Sequence, residues 1–171
     1  MAYKAKPIEP KRPTPGAGPH THAYDLLTST SNKVSRGASR AFISKFGVGL
    51  VEWRILRLLQ AGGETAANKV SSILELDKAA VSRSLALLEQ RGCISRSTDR
   101  NDARRRLLGL TAGGASLQRR MAKVAEARAH GVFKGFAEDD EATLIGLLQR
   151  LYQNAAELNQ ADEAGAGARI N

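Results

Sequence analysis

The chain of 171 residues holds a single cysteine, Cys93, which excludes intramolecular disulfides and thiolate metal clusters. Histidine is nearly as scarce: His20, His22 and His130 lack the compact spacing of a metal site, so no metal is expected. No apolar run approaches the ~20 residues needed to cross a bilayer, and the first residues, MAYKAKPIEPKRPTPGAGPH, carry no apolar segment of the kind a secretory signal needs. The expected address is the cytoplasm. A nucleophile elbow, a P-loop and the glycine pattern of a dinucleotide fold are also missing, and Gly62-Gly63 and Gly113-Gly114 read as helix punctuation. With no catalytic constellation and no cofactor motif, the chain is not expected to be an enzyme.

Proline is absent from most of the chain as well. All five (Pro7, Pro10, Pro13, Pro15, Pro19) lie in residues 1–22, together with Lys4, Lys6, Lys11 and Arg12 against Glu9, so this stretch reads as a flexible basic arm. Such an arm either adds phosphate contacts, braces a partner subunit, or is a leader without a role. What the chain has in excess is positive charge. A formal net charge of +9 and a pI near 10.1 favour a polyanionic partner, and 42% hydrophobic residues suffice for one cored domain.

Helical periodicity fills most of the remainder. Leu27, Val34, Ala38, Ala41, Phe42 and Phe46 recur at three- and four-residue spacing over about 23–46, and Gly47-Val48-Gly49 stops the run. A second helix over 50–60 places Leu50, Trp53, Leu56 and Leu59 on one side. A third, over 65–74, is expected to bury Ala66, Val70 and Ile73. Further on, Thr111 is a good cap for a helix running to about Phe133. A last helix over 139–159 carries Leu144, Leu147, Leu148, Leu151, Ala155 and Leu158 as a broad apolar stripe, and residues 161–171 read as a frayed tail.

Function is most legible between Leu76 and Gly114. Asp77 caps a helix whose Val81, Leu85 and Leu88 form an apolar face, and Gly92 ends it. At about 100° per residue the opposite face carries Ala79, Arg83, Ala86 and Gln90, with Ser82 on the flank and Lys78 at the tip. Small side chains let the backbone approach a groove floor, and Arg83 can reach a guanine edge or a phosphate. A bland amphipathic helix with solvated charges would show the same pattern. The segment after Gly92 favours a groove-reading helix: Cys93-Ile94-Ser95-Arg96 alternates as a half-buried strand does, Leu108 to Thr111 does so less cleanly, and the turn between holds Arg100, Asp102, Arg104 and Arg105. From Lys78 to Arg106 eight basic residues stand against three acidic ones. A two-stranded ribbon with an arginine-rich tip suits a narrow minor groove. Asp102, two residues before Arg104, is placed to hold a neighbouring guanidinium in one pose.

The run DKxxVSRxLxxLExxGxIxR followed by DxxDxRRxxLxLTxxG resembles the winged helix-turn-helix of the MarR family of transcription regulators, and the likeness extends upstream through Val51-Glu52-Trp53-Arg54-Ile55-Leu56. The resemblance implies that Ser82 and Arg83 face the major groove, that Arg104 is the wing-tip arginine of the minor groove, and that Asp102 is its anchor. It departs from the family's pattern where Glu75 replaces the usual turn glycine, where Ser71 stands for the small mid-helix residue, and where Asn101 stands for a common arginine. It implies a mainly α fold with a small β-hairpin wing, comprising a winged helix-turn-helix (about 50–111) and a helical dimerisation layer (about 23–46 and 112–159) within one domain over 23–160. The candidate DNA-binding residues are Lys78, Ala79, Ser82, Arg83, Arg100, Asp102, Arg104 and Arg105.

Some members of that family sense oxidants through a cysteine near the first helix; Cys93 lies in a wing strand instead, so no redox role is expected of it. Family dimers often take a small aromatic or phenolic acid between the dimerisation helices and the reader. By that resemblance Trp53 is a candidate to stack on a ring, and Arg40 or Arg54 to meet a carboxylate, although a lone tryptophan on an apolar face is more often core. The expected function is a homodimeric, ligand-responsive repressor bound to double-stranded DNA at a pseudo-palindromic operator. A sequence-indifferent architectural DNA binder and a regulator without a small-molecule effector are the alternatives.

Overall fold

The computed structural model describes residues 18–99, 102 and 104–168. Arg100, Asn101, Ala103, most of the arm and the last three residues lie outside them. The described residues form α1 (Pro19–Phe46), α2 (Leu50–Gly62), β1 (Thr65–Ala66), a 3₁₀ turn (Ala67–Lys69), α3 (Val70–Leu74), α4 (Lys78–Gln90), β2 (Ile94–Thr98), β3 (Arg106–Leu110), α5 (Ala112–Val132) and α6 (Glu138–Ala168). The three strands make one antiparallel sheet in the order β1-β3-β2. By contacts the chain divides into two units, one through Glu126 and one from Ala127. The fold is therefore mainly α with a small β wing, as the helical periodicity requires.

Within the first unit the core is drawn from α1 to α5 and all three strands. Ile55, Leu56, Val70, Leu88, Leu108 and Met121 are fully buried, joined by Phe42, Val48, Trp53, Leu59, Val81, Leu85 and Ile94. Trp53 and Phe42 pack ring on ring at 5.7 Å between centroids, which fastens α2 to α1. Three boundaries differ from the sequence expectation. Helix α1 starts at Pro19 instead of about Ala23, because a proline in the first turn needs no N–H partner and its φ is already helical. The expected helix over 65–74 is a two-residue strand, a 3₁₀ turn and a five-residue helix. Its inward residues are Ala66, Val70 and Ser71, while Ile73 is 53% exposed. Helix α6 continues past Asn159 to Ala168, where Ala161, Ala164, Ala166 and Ala168 favour the helix against Gly165 and Gly167.

The turn between α3 and α4 is closed by backbone geometry. Glu75 has φ 52°, the one positive value at a non-glycine among the described residues. The Leu76 N–H donates to the Ser71 carbonyl at 2.9 Å and the Glu75 N–H to the Ser72 carbonyl at 3.2 Å, the paired bonds of a left-handed helix end. A glycine would adopt this φ without strain; the chain instead accepts it at a glutamate.

Candidate nucleic-acid interface

Helix α4 begins where the sequence places it. The Asp77 carboxylate accepts the Ala80 N–H at 2.8 Å, satisfying one of the orphan donors of the first turn. Val81, Ser84, Leu85 and Leu88 face the core, and Lys78, Ala79, Ser82 and Arg83 lie on the other side, with Ser82 and Arg83 exposed. At the far end Gly92 takes φ 64°, and its N–H donates to the Glu89 carbonyl at 2.9 Å.

Ser84 is a polar residue turned inward, which the apolar period does not anticipate. Its hydroxyl donates to Glu52 Oε1 at 2.7 Å, while Glu52 Oε2 accepts the Gly49 N–H at the start of α2, also at 2.7 Å. One buried carboxylate thus caps α2 and ties it to α4. The only sequence signal for this role was Glu52 standing three residues after a helix-starting glycine.

The wing is sealed to α4 at its base. Thr111 Oγ1 donates toward the Gly92 carbonyl at 2.7 Å and accepts the Gly114 N–H at 3.0 Å, so one side chain caps α5 and binds the end of the recognition helix. Gly114 makes this approach possible, since a Cβ there would stand 1.9 Å from the Cys93 carbonyl oxygen. The L-T-x-x-G run is in physical terms a joint between helix and wing. Cys93 lies in that joint, buried, and desolvation pushes its thiol above the usual 9.0, with Arg91 pulling weakly the other way. A protonated, enclosed thiol is a poor nucleophile.

At the wing tip the Asp102 carboxylate accepts the Arg104 backbone N–H at 2.9 Å. Among the described residues Asp102 thus meets Arg104 through its backbone amide and not through the expected guanidinium contact: two residues is the span at which an aspartate bonds the backbone of its own turn. Among the described residues of the tip, Arg105 is the one whose guanidinium meets a carboxylate, 3.7 Å from Asp99, and the Arg105 N–H also donates to the Asp102 carbonyl at 2.9 Å. Arg106 donates to the Thr98 hydroxyl across the strand pair. The tip is a hydrogen-bonded turn that presents Arg104 outward.

Two adjoining clefts connect helix and wing. One of about 360 Å³ is lined by Asn68, Lys78, Ser82 and Arg96, among others. The second, about 420 Å³, is lined by Asn68, Arg96, Asp102, Arg104, Arg105 and Arg106. Sequence reasoning missed Asn68 and Arg96. Pairing of β1 with β3, Thr65 to Leu108 and Ala66 to Leu107, is what carries Asn68 to the wing.

The three candidate ligand residues are not brought together as expected. Trp53 is 7% exposed, within the core. Arg54 donates to the Leu74 carbonyl at 2.7 Å, closing the end of α3. Arg40 lines a cleft of about 390 Å³ along α1 with Ser29, Asn32, Lys33 and Arg36.

Residues 46–105 match the sequence profile of the MarR family. A MarR/EmrR family transcriptional regulator from Acinetobacter sp. ADP1 is 31% identical, with a TM-score of 0.73 over 82% of this chain and 99% of the other. BpsR of Bordetella bronchiseptica, whose DNA binding is regulated by 6-hydroxynicotinic acid, is 22% identical, with a TM-score of 0.68 over 76% of this chain and 98% of its own. A MarR variant from E. coli, solved with operator DNA, is also 22% identical, with a TM-score of 0.68 over 79% and 99%. At that identity the last two establish likeness of fold.

Proposed function

This chain belongs to the MarR family of transcription regulators, and on that premise we propose that it is a homodimeric, ligand-responsive repressor that reads a pseudo-palindromic operator. As a family member it is a DNA-binding regulator and not an enzyme. Repression, dimerisation and the ligand are the proposed part. No helix among the described residues is long and apolar enough to cross a membrane.

The observation that carries the reading is the continuity of the basic surface. Lys78 and Ser82 of α4 share one cleft with Arg96, and Arg96 shares the next with Arg104, Arg105 and Arg106. A helix that fills a major groove and a ribbon that enters the neighbouring minor groove need such a joined surface. In this reading Arg83 and Ser82 meet base edges, Ala79 admits the backbone closely, Lys78 stands at the tip of α4 with Arg105 as a further basic contact, and Arg104, on the turn built by Asp102, enters the minor groove; Arg100, outside the described residues, stays a candidate from the sequence.

Dimerisation is supported by apolar side chains that a lone chain leaves in solvent. On α1, Tyr24 is 67% exposed and Leu26, Leu27 and Val34 are 38%; on α6, Ile145, Leu147, Leu148, Leu151, Tyr152 and Leu158 are 40% or more. Apolar surface of this extent marks a protein contact. Residues 23–160 act as one domain in this proposal, with α1, α5 and α6 supplying the contact surfaces. Two-fold symmetry sets the recognition helices about 34 Å apart.

The proposed effector is a small aromatic or phenolic acid, the chemistry of the ligand that regulates BpsR. Arg40, with Lys33 and Arg36 beside it, is the candidate for its carboxylate, since Trp53 and Arg54 are already engaged. A ligand that favours a different spacing of the two readers releases DNA by population shift, for which a few kcal/mol of differential affinity suffices. The test is to select fragments of the source genome on the purified protein and add a panel of aromatic acids. Enrichment of sites with two-fold symmetry, released by one acid, is the expected outcome. Indifferent enrichment favours the architectural alternative, and specific binding that no acid disturbs favours a regulator without an effector.

A further inference from the structure

We propose that Asn68 and Arg96 form a seat for one DNA backbone phosphate at the junction of recognition helix and wing, oriented by Glu89. The inference rests on the DNA-binding reading but adds a site between the base-reading face of α4 and the wing tip. Asn68 belongs to the 3₁₀ turn before α3, and Arg96 to the middle of β2. Both line the two clefts, so they stand on the ridge where the clefts meet.

The strand period explains how Arg96 reaches that ridge. Along β2, Ile94, Arg96 and Thr98 share a face, opposite Leu110, Leu108 and Arg106 of β3. The base of this face is apolar and closed, with Ile94 3% and Leu108 0% exposed. Toward the tip the same face turns polar, where Thr98 and Arg106 are hydrogen-bonded to each other. Arg96 is the first residue on this face to leave the core, and its side chain is 38% exposed.

Its chemistry is set by a single contact. Arg96 Nε donates to Glu89 Oε2 at 2.8 Å, across from the last turns of α4. Held at Nε, the guanidinium still has four N–H donors on its two terminal nitrogens, enough to grip two oxygens of a phosphate. A carboxylate in a region with Lys78, Arg104, Arg105 and Arg106 also offsets repulsion that would push Arg96 away. Asn68 is exposed, and its amide supplies a neutral donor. Neither residue type in this arrangement selects a base, because both address an oxygen common to every nucleotide. The seat positions the duplex so that α4 and the wing tip enter their grooves together.

The experiment uses the full-length protein with Arg96→Ala, Arg96→Lys and Asn68→Ala, on a selected duplex and on a scrambled one. Arg96→Ala is expected to weaken binding to both by about tenfold and to lower the salt slope by about one per bound protomer, leaving the ratio between duplexes unchanged. Arg96→Lys should restore the slope but not the full affinity, because it keeps the charge and loses the fork. Asn68→Ala should weaken both duplexes alike with the slope intact, since it removes a neutral donor. Replacing single phosphates by neutral methylphosphonate should reveal one position per half-site that weakens the wild type and has no further effect on Arg96→Ala. Glu89→Gln should reduce the penalty at that same position. An unchanged slope in Arg96→Ala, or a change in sequence preference, overturns the proposal. Because phosphate contacts register on any duplex, the seat is tested even if the wild type distinguishes none, and that second result would count against the operator reading alone.

Discussion

The hydroxyl of Ser84 and the carboxylate of Glu52 meet at 2.7 Å inside the protein, joining the recognition helix to the helix that precedes the sheet. Both side chains are buried, at 5% and 9% exposure, and each oxygen of the carboxylate has its donor. The angle of α4 against α2 is therefore held by polar geometry as well as by Val81, Leu85 and Leu88, and in the proposed reading that is the angle at which α4 meets DNA.

Removing one partner strands the other. Ser84→Ala is expected to destabilise the fold by on the order of 1–3 kcal/mol, and Glu52→Ala by at least as much, since it also uncaps α2. Glu52→Gln should cost less, because an amide can accept from Gly49 and donate to a rotated Ser84 hydroxyl. Urea denaturation of the three variants checks the order.

Gly114→Ala should be among the most damaging single-methyl changes. The added carbon would meet the Cys93 carbonyl at 1.9 Å and Leu110 Cδ1 at 2.8 Å, and a backbone oxygen cannot swing aside. A loss of about 3 kcal/mol or more is expected, with the wing displaced from α4. Thermal unfolding and DNA binding would both report it.

Glu75→Gly should act in the opposite direction. Relief of the left-handed strain at φ 52° outweighs the extra freedom of the unfolded chain, for a net gain of about 1 kcal/mol. For a domain of this size that is a rise of a few degrees in melting temperature. A fall instead would mean that the contacts of the Glu75 side chain outweigh the strain.

Cys93 gives the stability a pH dependence. Its thiol is held above 9.0 when folded, so above that pH the unfolded chain loses a proton that the native state keeps. Stability from this group is complete at lower pH and declines as pH rises past 9.0 toward the folded value. Subtracting the profile of Cys93→Ala from that of the wild type, over pH 7 to about 10.5, should leave this decline. Alkylation of the thiol should also be slow until urea is added.

The recognition helix was legible because cap, apolar period and stop all agree: Asp77, then Val81, Leu85 and Leu88, then Gly92. Charge located the wing, and its loop chemistry was only half legible. An Asp two residues before an Arg signals either a side-chain pair or a backbone turn, and the turn won because Asp102 reaches the Arg104 amide without stretching. β1 escaped notice because two residues cannot display a period. With it went Asn68, whose position depends on the pairing of β1 with a strand some forty residues later in the chain. Ser84 and Glu52 were hidden for another reason. A polar residue on an inward face is recognised only when its partner is known, and theirs are 32 residues apart. The prolines around the arm suggested a flexible stretch up to residue 22, yet Pro19 begins a helix. A proline in the first turn and one in a coil look alike until the residues after it are seen to be helical.

The most direct test of the central reading compares wild type and Arg83→Ala on a selected operator and a scrambled duplex at ~0.15 M salt. The wild type is expected to prefer the operator by roughly a thousandfold or more. Arg83→Ala should lose on the order of 1–3 kcal/mol on the operator, with its preference relaxed at one base position per half-site and little change on the scrambled duplex. Equal affinity of the wild type for both duplexes, or an unaltered preference in the variant, would contradict the assignment of α4 as the element that reads sequence.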